Sequence, residues 1–116
     1  MKIFKEGSYY TEEYRNLFRE NGVPEEVIRK KLDDTWNELF YGAPDVRIYH
    51  PMDDDKGYIV DTGNTDVRTE GMSYGMMMAV QMDKKEEFDR LWKFAKVYMQ
   101  HTEGRYKDYF AWHCKL

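Results

Sequence analysis

The chain has 116 residues, 16% of them aromatic and 34% charged, which is the size and composition of one folded domain or of a piece of one. Its net charge is −4 and no stretch concentrates basic residues, so the sequence argues against nucleic acid and anionic membrane surfaces as main partners. No run approaches the roughly 20 apolar residues that a membrane-spanning helix needs.

Two features of the sequence bear on the cellular compartment. The N-terminal stretch contains only Ile3 and Phe4 where a secretory signal needs an apolar run of at least about seven residues. Cys114 is the single cysteine, so the sequence allows no internal disulfide and resembles no thiolate metal site. Together these features predict a cytoplasmic protein.

Two helices are predicted before residue 45. The first begins near Thr11 and ends at Gly22. Pro24 opens the second, and Gly42 ends it. The apolar side of this second helix consists of Val27, Ile28, Leu32, Trp36, Leu39 and Phe40.

Residues 45–68 break the helical pattern. Two short apolar runs, 46–49 and 57–60, flank a polar tip, which predicts a hairpin or a long ordered loop between helices. The consecutive aspartates at 53–55 invite comparison with a calcium-binding loop. However, the glycine does not fall where that template needs it, and no distal glutamate completes the ligand set. We interpret the tip as a solvated turn.

The most unusual stretch is residues 69–82, TEGMSYGMMMAVQM. Apolar side chains would occupy nearly every side of a helix with this sequence, which predicts burial on more than one side. Thr69 is the expected N-cap, and Glu70 in the first turn would point into a cavity at that end. The alternative is that Glu70 only complements the helix dipole at a solvated end.

A second, amphipathic helix is predicted to follow almost at once. Asp83 and Glu86 have the spacing of a capping box, in which each side chain bonds a free backbone N–H at the helix start. The apolar stripe of this helix is Phe88, Leu91, Trp92, Ala95, Tyr98 and Met99. A helix that is apolar all round followed by an amphipathic one predicts an inner and an outer helix paired antiparallel, with Trp36 and Trp92 in the core.

The last segment, residues 109–116, is apolar and extended in character. A domain that stopped within such a segment would leave its strand partners missing. We therefore expect these 116 residues to be the N-terminal portion of a longer polypeptide, whose remainder beyond Leu116 is a partner of this piece.

Most catalytic motifs are absent from the sequence. It contains no glycine-rich phosphate loop, no nucleophile elbow, no histidine pair at ligand spacing and no dinucleotide fingerprint. What remains is one acid, Glu70, in aromatic-rich helical surroundings. Sugar rings stack on aromatic planes and a carboxylic acid can protonate a glycosidic oxygen, so this combination suits a carbohydrate ligand.

Residues 69–76, TEGMSYGM, resemble the E-G-x-x-Y-G-M signature at the start of an inner helix in glycoside hydrolase family 8, and residues 109–112, YFAW, also fit. The similarity is greatest to the xylan-active branch, which includes reducing-end xylose-releasing exo-oligoxylanases. The resemblance implies an all-α fold, the (α/α)6 barrel of six helical hairpins, with residues 1–116 as the N-terminal portion of one catalytic domain. It also implies inverting hydrolysis of β-1,4-linked xylo-oligosaccharides that releases xylose from the reducing end, with no cofactor or metal.

The resemblance assigns roles to individual residues. Glu70 falls on the family's general acid, and inversion requires this carboxyl to carry a proton. Burial would favour the protonated form and a close Arg68 the ionised form, and the sequence leaves the balance open. Trp112 resembles a sugar-stacking aromatic, the alternative being a core tryptophan. Arg68 and Tyr74 are the other candidate substrate-binding residues, although Tyr74 can instead pack against or orient Glu70.

One requirement of the mechanism is not met by the sequence. An inverting enzyme needs a second carboxylate, about 6.5 to 9.5 Å from the acid. The aspartates that match neither this base nor the family's further substrate-binding position are Asp53, Asp54, Asp55, Asp61 and Asp66. We expect the base beyond Leu116. Two alternatives stay open: a secreted-type endo-β-1,4-xylanase or glucanase of the same family, and a catalytically inert, sugar-binding helical fragment.

Overall fold

The computed structural model describes residue 11 and residues 13–116. The chain divides into two compact units, Met1–Thr35 and Trp36–Leu116. None of the helices in the described part of the chain is both long enough and apolar enough to cross a membrane.

The first unit contains α1 (Leu17–Glu20) and the first turns of α2 (Glu25–Tyr41). Asn16 caps α1, because its side-chain oxygen accepts hydrogen bonds from two backbone N–H groups of the helix. The first helix was expected to run from near Thr11 to Gly22; Thr11 is helical, but residues 13–16 are not, so this prediction holds only in part. The Asn16 cap explains why α1 begins only at Leu17, since a capping residue adopts an extended conformation. The rest of that prediction concerns residue 12 and residues before 11, outside the described part.

The second unit begins with the last turns of α2. Trp36 and Phe40 are buried there, with ring centroids 3.7 Å apart. The helix ends at Tyr41, as predicted. A Cβ on Gly42 would lie 2.3 Å from the carbonyl oxygen of Glu38, so only glycine fits at this exit.

A hairpin follows, formed by β1 (Tyr49–Met52) and β2 (Lys56–Ile59). The strands are antiparallel, with Tyr49 opposite Ile59 and Met52 opposite Lys56. This confirms the predicted hairpin, with the first strand a few residues later than expected. The all-α prediction holds only in part: it allowed for this hairpin, but the described chain also contains a second small sheet.

The second sheet pairs β3 (Asp66–Arg68) with β4 (His113–Lys115). The strands are antiparallel, and the register sets Arg68 opposite His113. Residues 109–116 were expected to be extended and short of partners. The end of this segment instead has a partner strand far back in the chain.

The long apolar stretch forms α3 (Thr69–Gln81), and α4 (Lys85–Phe94) follows it. A Cβ on Gly75 would lie 2.7 Å from Ile59 Cγ1 and 3.1 Å from Leu91 Cδ1. This glycine therefore lets α3 approach both β2 and α4 closely. The predicted pair of packed helices is present.

Burial of α3 differs from the prediction. Met72, Gly75 and Ala79 are buried on one side, whereas Val80 on another side is 66% exposed. Burial on more than one side was expected, and the expectation is wrong for the described chain. Apolar composition predicts that a helix surface is buried, but it does not show that the segment that buries it lies among these residues.

The connection between α3 and α4 is not a capping box. Asp83 has a φ of 55°. The N–H of Lys84 donates to the carbonyl oxygen of Ala79 at 2.8 Å, and the N–H of Asp83 donates to the carbonyl oxygen of Val80 at 3.3 Å. These two bonds form a Schellman motif that closes α3. Asp83 cannot cap α4 from this conformation, and α4 has no side-chain cap.

A π-helical segment, Ala95–Met99, continues α4. Trp36 lies in the core as predicted, but Trp92 is 45% exposed, so its assignment to the core is wrong. The buried hydrophobic cluster of the second unit comprises Trp36, Phe40, Tyr49, Ile59, Val67, Met72, Ala79, Leu91, Phe94, Ala95 and Met99.

Candidate functional site

The candidate site lies where β3 passes into α3. Val67 at the centre of β3 is fully buried, which anchors the strand, and Arg68 ends it. Thr69 then begins α3, and its backbone N–H donates to the carbonyl oxygen of Trp112 at 3.0 Å. The start of the helix and the segment that leads into β4 are therefore held together. Thr69 is not the N-cap that was expected, since Arg68 occupies the cap position without a side-chain hydrogen bond.

Glu70 is the second residue of α3. The hydroxyl of Thr69 lies 3.3 Å from Glu70 Oε2 and donates to it. The unpaired N–H groups at a helix start also favour an anion at this position. The side chain is exposed, so the cavity that was expected around it is not formed by the described residues.

Arg68 is held between two carboxylates. Its Nε lies 3.1 Å from Asp61 Oδ2 and 3.0 Å from Asp66 Oδ1. The hydrogen bond to Asp66 is the largest cause of the raised pKa of Arg68. The pKa of Asp61 is lowered, mainly by a hydrogen bond from the side chain of Asn64 and further by the charge of Arg68.

Trp112 lies beside this ion pair. The guanidinium carbon of Arg68 is 5.4 Å from the centroid of the Trp112 ring, within the range of a cation–π interaction. The tryptophan is 59% exposed, so among the described residues it is a surface aromatic and the core alternative does not describe it. An exposed indole of this kind offers a surface on which a sugar ring can stack.

Tyr74 lies one turn after Glu70 on the same side of α3. Its side chain is 64% exposed. In the described part of the chain it makes no hydrogen bond to Glu70. The structure therefore brings together Arg68, Glu70 and Trp112, and sets Tyr74 further along the same face.

Sequence reasoning considered Asp61 and Asp66 only as candidates for a base, and missed their contact with Arg68. A signal for one of them was present. Asp66 and Arg68 are two residues apart in an extended segment, and such residues point to the same side of a strand. The contact of Asp61 with Arg68 could not be predicted in this way, because it depends on a turn in the chain between Asp61 and Asp66.

The other aspartates compared with the family's base lie at the hairpin tip. Asp53 and Asp55 each lie 3.0 Å from Lys56 Nζ, and Asp55 also pairs with Lys93. These ion pairs agree with the interpretation of a solvated turn. No group of three or more His, Cys, Asp or Glu side chains that could hold a metal ion occurs among residue 11 and residues 13–116.

Comparison with known proteins identifies the family. Residues 52–115, more than half of the chain, match the family described as glycosyl hydrolases family 8. The chain belongs to this family. The matched region includes the signature glycines Gly71 and Gly75, both of which face Ile59 closely: a Cβ on Gly71 would lie 3.3 Å from Ile59 Cγ2. The glycines of the motif therefore allow helix and hairpin to touch.

Two curated family 8 relatives match nearly the whole chain. The reducing-end xylose-releasing exo-oligoxylanase Rex8A of Paenibacillus barcinonensis is 67% identical over 115 residues, which cover 99% of this chain and 30% of that protein. The reducing end xylose-releasing exo-oligoxylanase of Halalkalibacterium halodurans is 56% identical over 115 residues, with the same two shares. The chain thus spans about 30% of the length of these curated relatives.

Solved structures of family 8 enzymes share the fold of this chain. Rex8A from Paenibacillus barcinonensis complexed with xylose aligns with a TM-score of 0.90 and 68% identity, covering 95% of this chain and 29% of that one. The E70A mutant of Rex8A, complexed with 3(3)-alpha-L-arabinofuranosyl-xylotetraose, aligns with a TM-score of 0.90 and 68% identity over 94% of this chain and 29% of that one.

Proposed function

We propose that the polypeptide containing this chain is a glycosidase that hydrolyses β-1,4-linked xylo-oligosaccharides and releases xylose from their reducing end. The support is the identity of 67% and 56% to two exo-oligoxylanases over nearly the whole chain. A probable endoglucanase of Novacetimonas hansenii is 35% identical over 57 residues, or 48% of the chain. The endo-acting alternative therefore has weaker support.

We also propose that residues 1–116 form the N-terminal portion of a single (α/α)6-barrel catalytic domain. The support is the contrast between α3, which is apolar on most sides, and α4, which is amphipathic. Tyr74, Met77 and Val80 leave an apolar side of α3 exposed, and the remainder of the barrel would cover it. In the complete polypeptide, Val80→Lys then lowers the unfolding midpoint, whereas in the 116-residue chain the same change has little effect.

Glu70 is the proton donor in this proposal. One observation carries the assignment: the backbone N–H of Thr69, the residue before Glu70, donates to the carbonyl oxygen of Trp112, which holds the acid close to the exposed aromatic residue. A sugar stacked on the indole would lie beside the acid. The E70A mutant of Rex8A, a relative 68% identical to this chain, was solved in complex with 3(3)-alpha-L-arabinofuranosyl-xylotetraose.

The reaction follows from the chemistry of an inverting glycosidase. Glu70 gives its proton to the glycosidic oxygen as the C–O bond breaks, and the leaving sugar departs as an alcohol. A water molecule attacks the anomeric carbon from the opposite face and loses its proton to a second carboxylate. We expect that carboxylate from another part of the polypeptide, because Asp61 and Asp66 already pair with Arg68.

Replacement of the acid tests the assignment. Glu70→Gln in the complete polypeptide is expected to lower the turnover of xylotriose roughly 100- to 10,000-fold, because the amide cannot donate the proton, while xylotriose binding measured by calorimetry is retained. Glu103→Gln, an exposed glutamate away from the site, is the matched control and keeps full activity. Unchanged turnover in Glu70→Gln would remove Glu70 from this role.

Product analysis tests the substrate and the stereochemistry. Xylotetraose labelled with ¹³C in its reducing-end residue is expected to yield labelled xylose as the first product. Proton NMR is expected to show the α-anomer first at the new reducing end of the remaining xylotriose, because inversion of a β-linkage gives α. Label distributed among longer products would support the endo-acting alternative.

A further inference from the structure

The turn between β2 and β3 fixes the carboxylate of Asp61. Its Oδ1 accepts the backbone N–H groups of Gly63 at 2.9 Å and Asn64 at 3.0 Å, and the Asn64 side-chain amide at 3.2 Å. Its own N–H donates to the carbonyl oxygen of Asp66 at 2.8 Å. Asp61 Oδ2 is left to face Arg68, at 3.1 Å from its Nε.

Asp66 holds Arg68 from the strand itself. The side chain of Asp66 is only 13% exposed, and its Oδ1 lies 3.0 Å from Arg68 Nε. A longer contact of 3.5 Å joins Arg68 Nη2 to Asp66 Oδ2. The aspartates therefore occupy one edge of the guanidinium, while its carbon lies over the ring of Trp112. A planar guanidinium can bond carboxylates along its edge and stack through its face at the same time, which a lysine ammonium cannot do.

We propose that Asp61, Asp66 and Arg68 form a clamp that positions the Trp112 indole for its sugar, and that Arg68 acts through Trp112 rather than by binding substrate. The inference rests on the proposed function. Asp61 lies in a turn, Asp66 and Arg68 lie in β3, and Trp112 precedes β4. The orientation of the exposed ring therefore depends on three parts of the chain. The two carboxylates also more than offset the positive charge of Arg68 next to Glu70.

A spectroscopic measurement tests the clamp without relying on catalysis. The complete polypeptide is labelled with 5-fluorotryptophan, and the ¹⁹F signal of Trp112 is assigned by its loss in Trp112→Phe. Arg68→Ala and Asp66→Asn are expected to shift and broaden this signal in the absence of sugar. Asp53→Asn breaks an ion pair at the hairpin tip and, as the matched control, leaves the signal unchanged.

Steady-state kinetics with xylotriose test the consequence. Arg68→Ala is expected to raise KM roughly 2- to 5-fold, the range of one exposed cation–π contact, with kcat nearly unchanged. Arg68→Lys keeps the charge but lacks the planar guanidinium, so its KM is expected to lie between the values of wild type and Arg68→Ala. In the background of Trp112→Ala, Arg68→Ala is expected to have no further effect, because the ring on which it acts is gone.

The outcomes separate the clamp from the activity. An unchanged Trp112 signal in Arg68→Ala, or additive effects of Arg68→Ala and Trp112→Ala on KM, overturns the clamp. A shifted signal in a polypeptide that does not hydrolyse xylotriose keeps the positioning of the ring but refutes the proposed function.

Discussion

The backbone N–H of Thr69 donates a hydrogen bond of 3.0 Å to the carbonyl oxygen of Trp112. The two residues are far apart in the sequence, and this bond brings the first turn of α3 against the segment that leads into β4. Glu70 directly follows Thr69, and Trp112 carries the exposed indole. An acid and an aromatic platform thus come together through main-chain geometry, independently of their own side chains.

The first prediction concerns the aromatic platform. Trp112→Ala in the complete polypeptide is expected to raise KM for xylotriose by roughly fivefold, because stacking of a sugar on an aromatic plane is worth about 1 kcal/mol. Trp112→Phe keeps a ring and is expected to lose less. Trp92→Phe, another partly exposed tryptophan, serves as control. Equal KM values in all variants would show that Trp112 does not contact the substrate.

The second prediction concerns the close approach at Gly75. Gly75→Ala is expected to lower the free energy of unfolding by about 1 to 3 kcal/mol, since the new methyl group would lie 2.7 Å from Ile59 Cγ1. The measurement is urea denaturation followed by circular dichroism. Gln81→Ala on an exposed position of the same helix is expected to change stability by less than about 0.5 kcal/mol. A stabilising effect of Gly75→Ala, as helix propensity alone would give, contradicts the packing described here.

The third prediction separates the observed link between α3 and α4 from a capping box. Asp83→Gly is expected to stabilise the chain by about 0.5 to 1 kcal/mol, because glycine adopts the left-handed conformation at little cost and Asp83 has a φ of 55°. A capping aspartate replaced by glycine would instead cost a few tenths of a kcal/mol. Asp89→Gly inside α4 is the control and is expected to cost roughly 1 kcal/mol. Chemical denaturation of the three proteins gives the sign.

The fourth prediction concerns His50, whose ring stacks on Tyr58 with centroids 5.4 Å apart. Burial lowers the pKa of His50 below its ordinary value of 6.5, and the charge of Arg47 lowers it further. The unfolded chain then binds a proton at higher pH than the folded chain does. The stability from neutral His50 is complete above pH 6.5 and is lost progressively as the pH falls below 6.5 through the lowered pKa.

Thermal unfolding between pH 7.5 and pH 5 checks this dependence. The midpoint of the wild-type protein is expected to fall over that range more than the midpoint of His50→Gln, which has no titrating ring. Gln81→Ala, at an exposed position without a titrating group, is the control and is expected to keep the wild-type dependence. Equal slopes for wild type and His50→Gln would rule out a contribution of this histidine.

Most of the helices and strands predicted from the periodicity of apolar residues are present in the structure. The helix that ends at Gly42, the hairpin after it and the pair α3 and α4 all follow from local patterns of apolar residues and turn formers. Boundaries decided by a single conformation were not predicted. Asp83 has the spacing of a cap, but it lies in the left-handed region because the Schellman bonds of α3 use its N–H first. The location in the cytoplasm stays a prediction.

The sequence by itself determined the family, because the signature around Glu70 is local and its two glycines are needed for one close contact with Ile59. Only the tertiary structure decided that residues 113–115 pair with residues 66–68 and that Asp61 returns to meet Arg68. The physical reason is that long-range pairing depends on where the chain turns in space. The periodicity of apolar residues predicts which side of a helix or strand is buried, but it does not predict which distant segment buries that side.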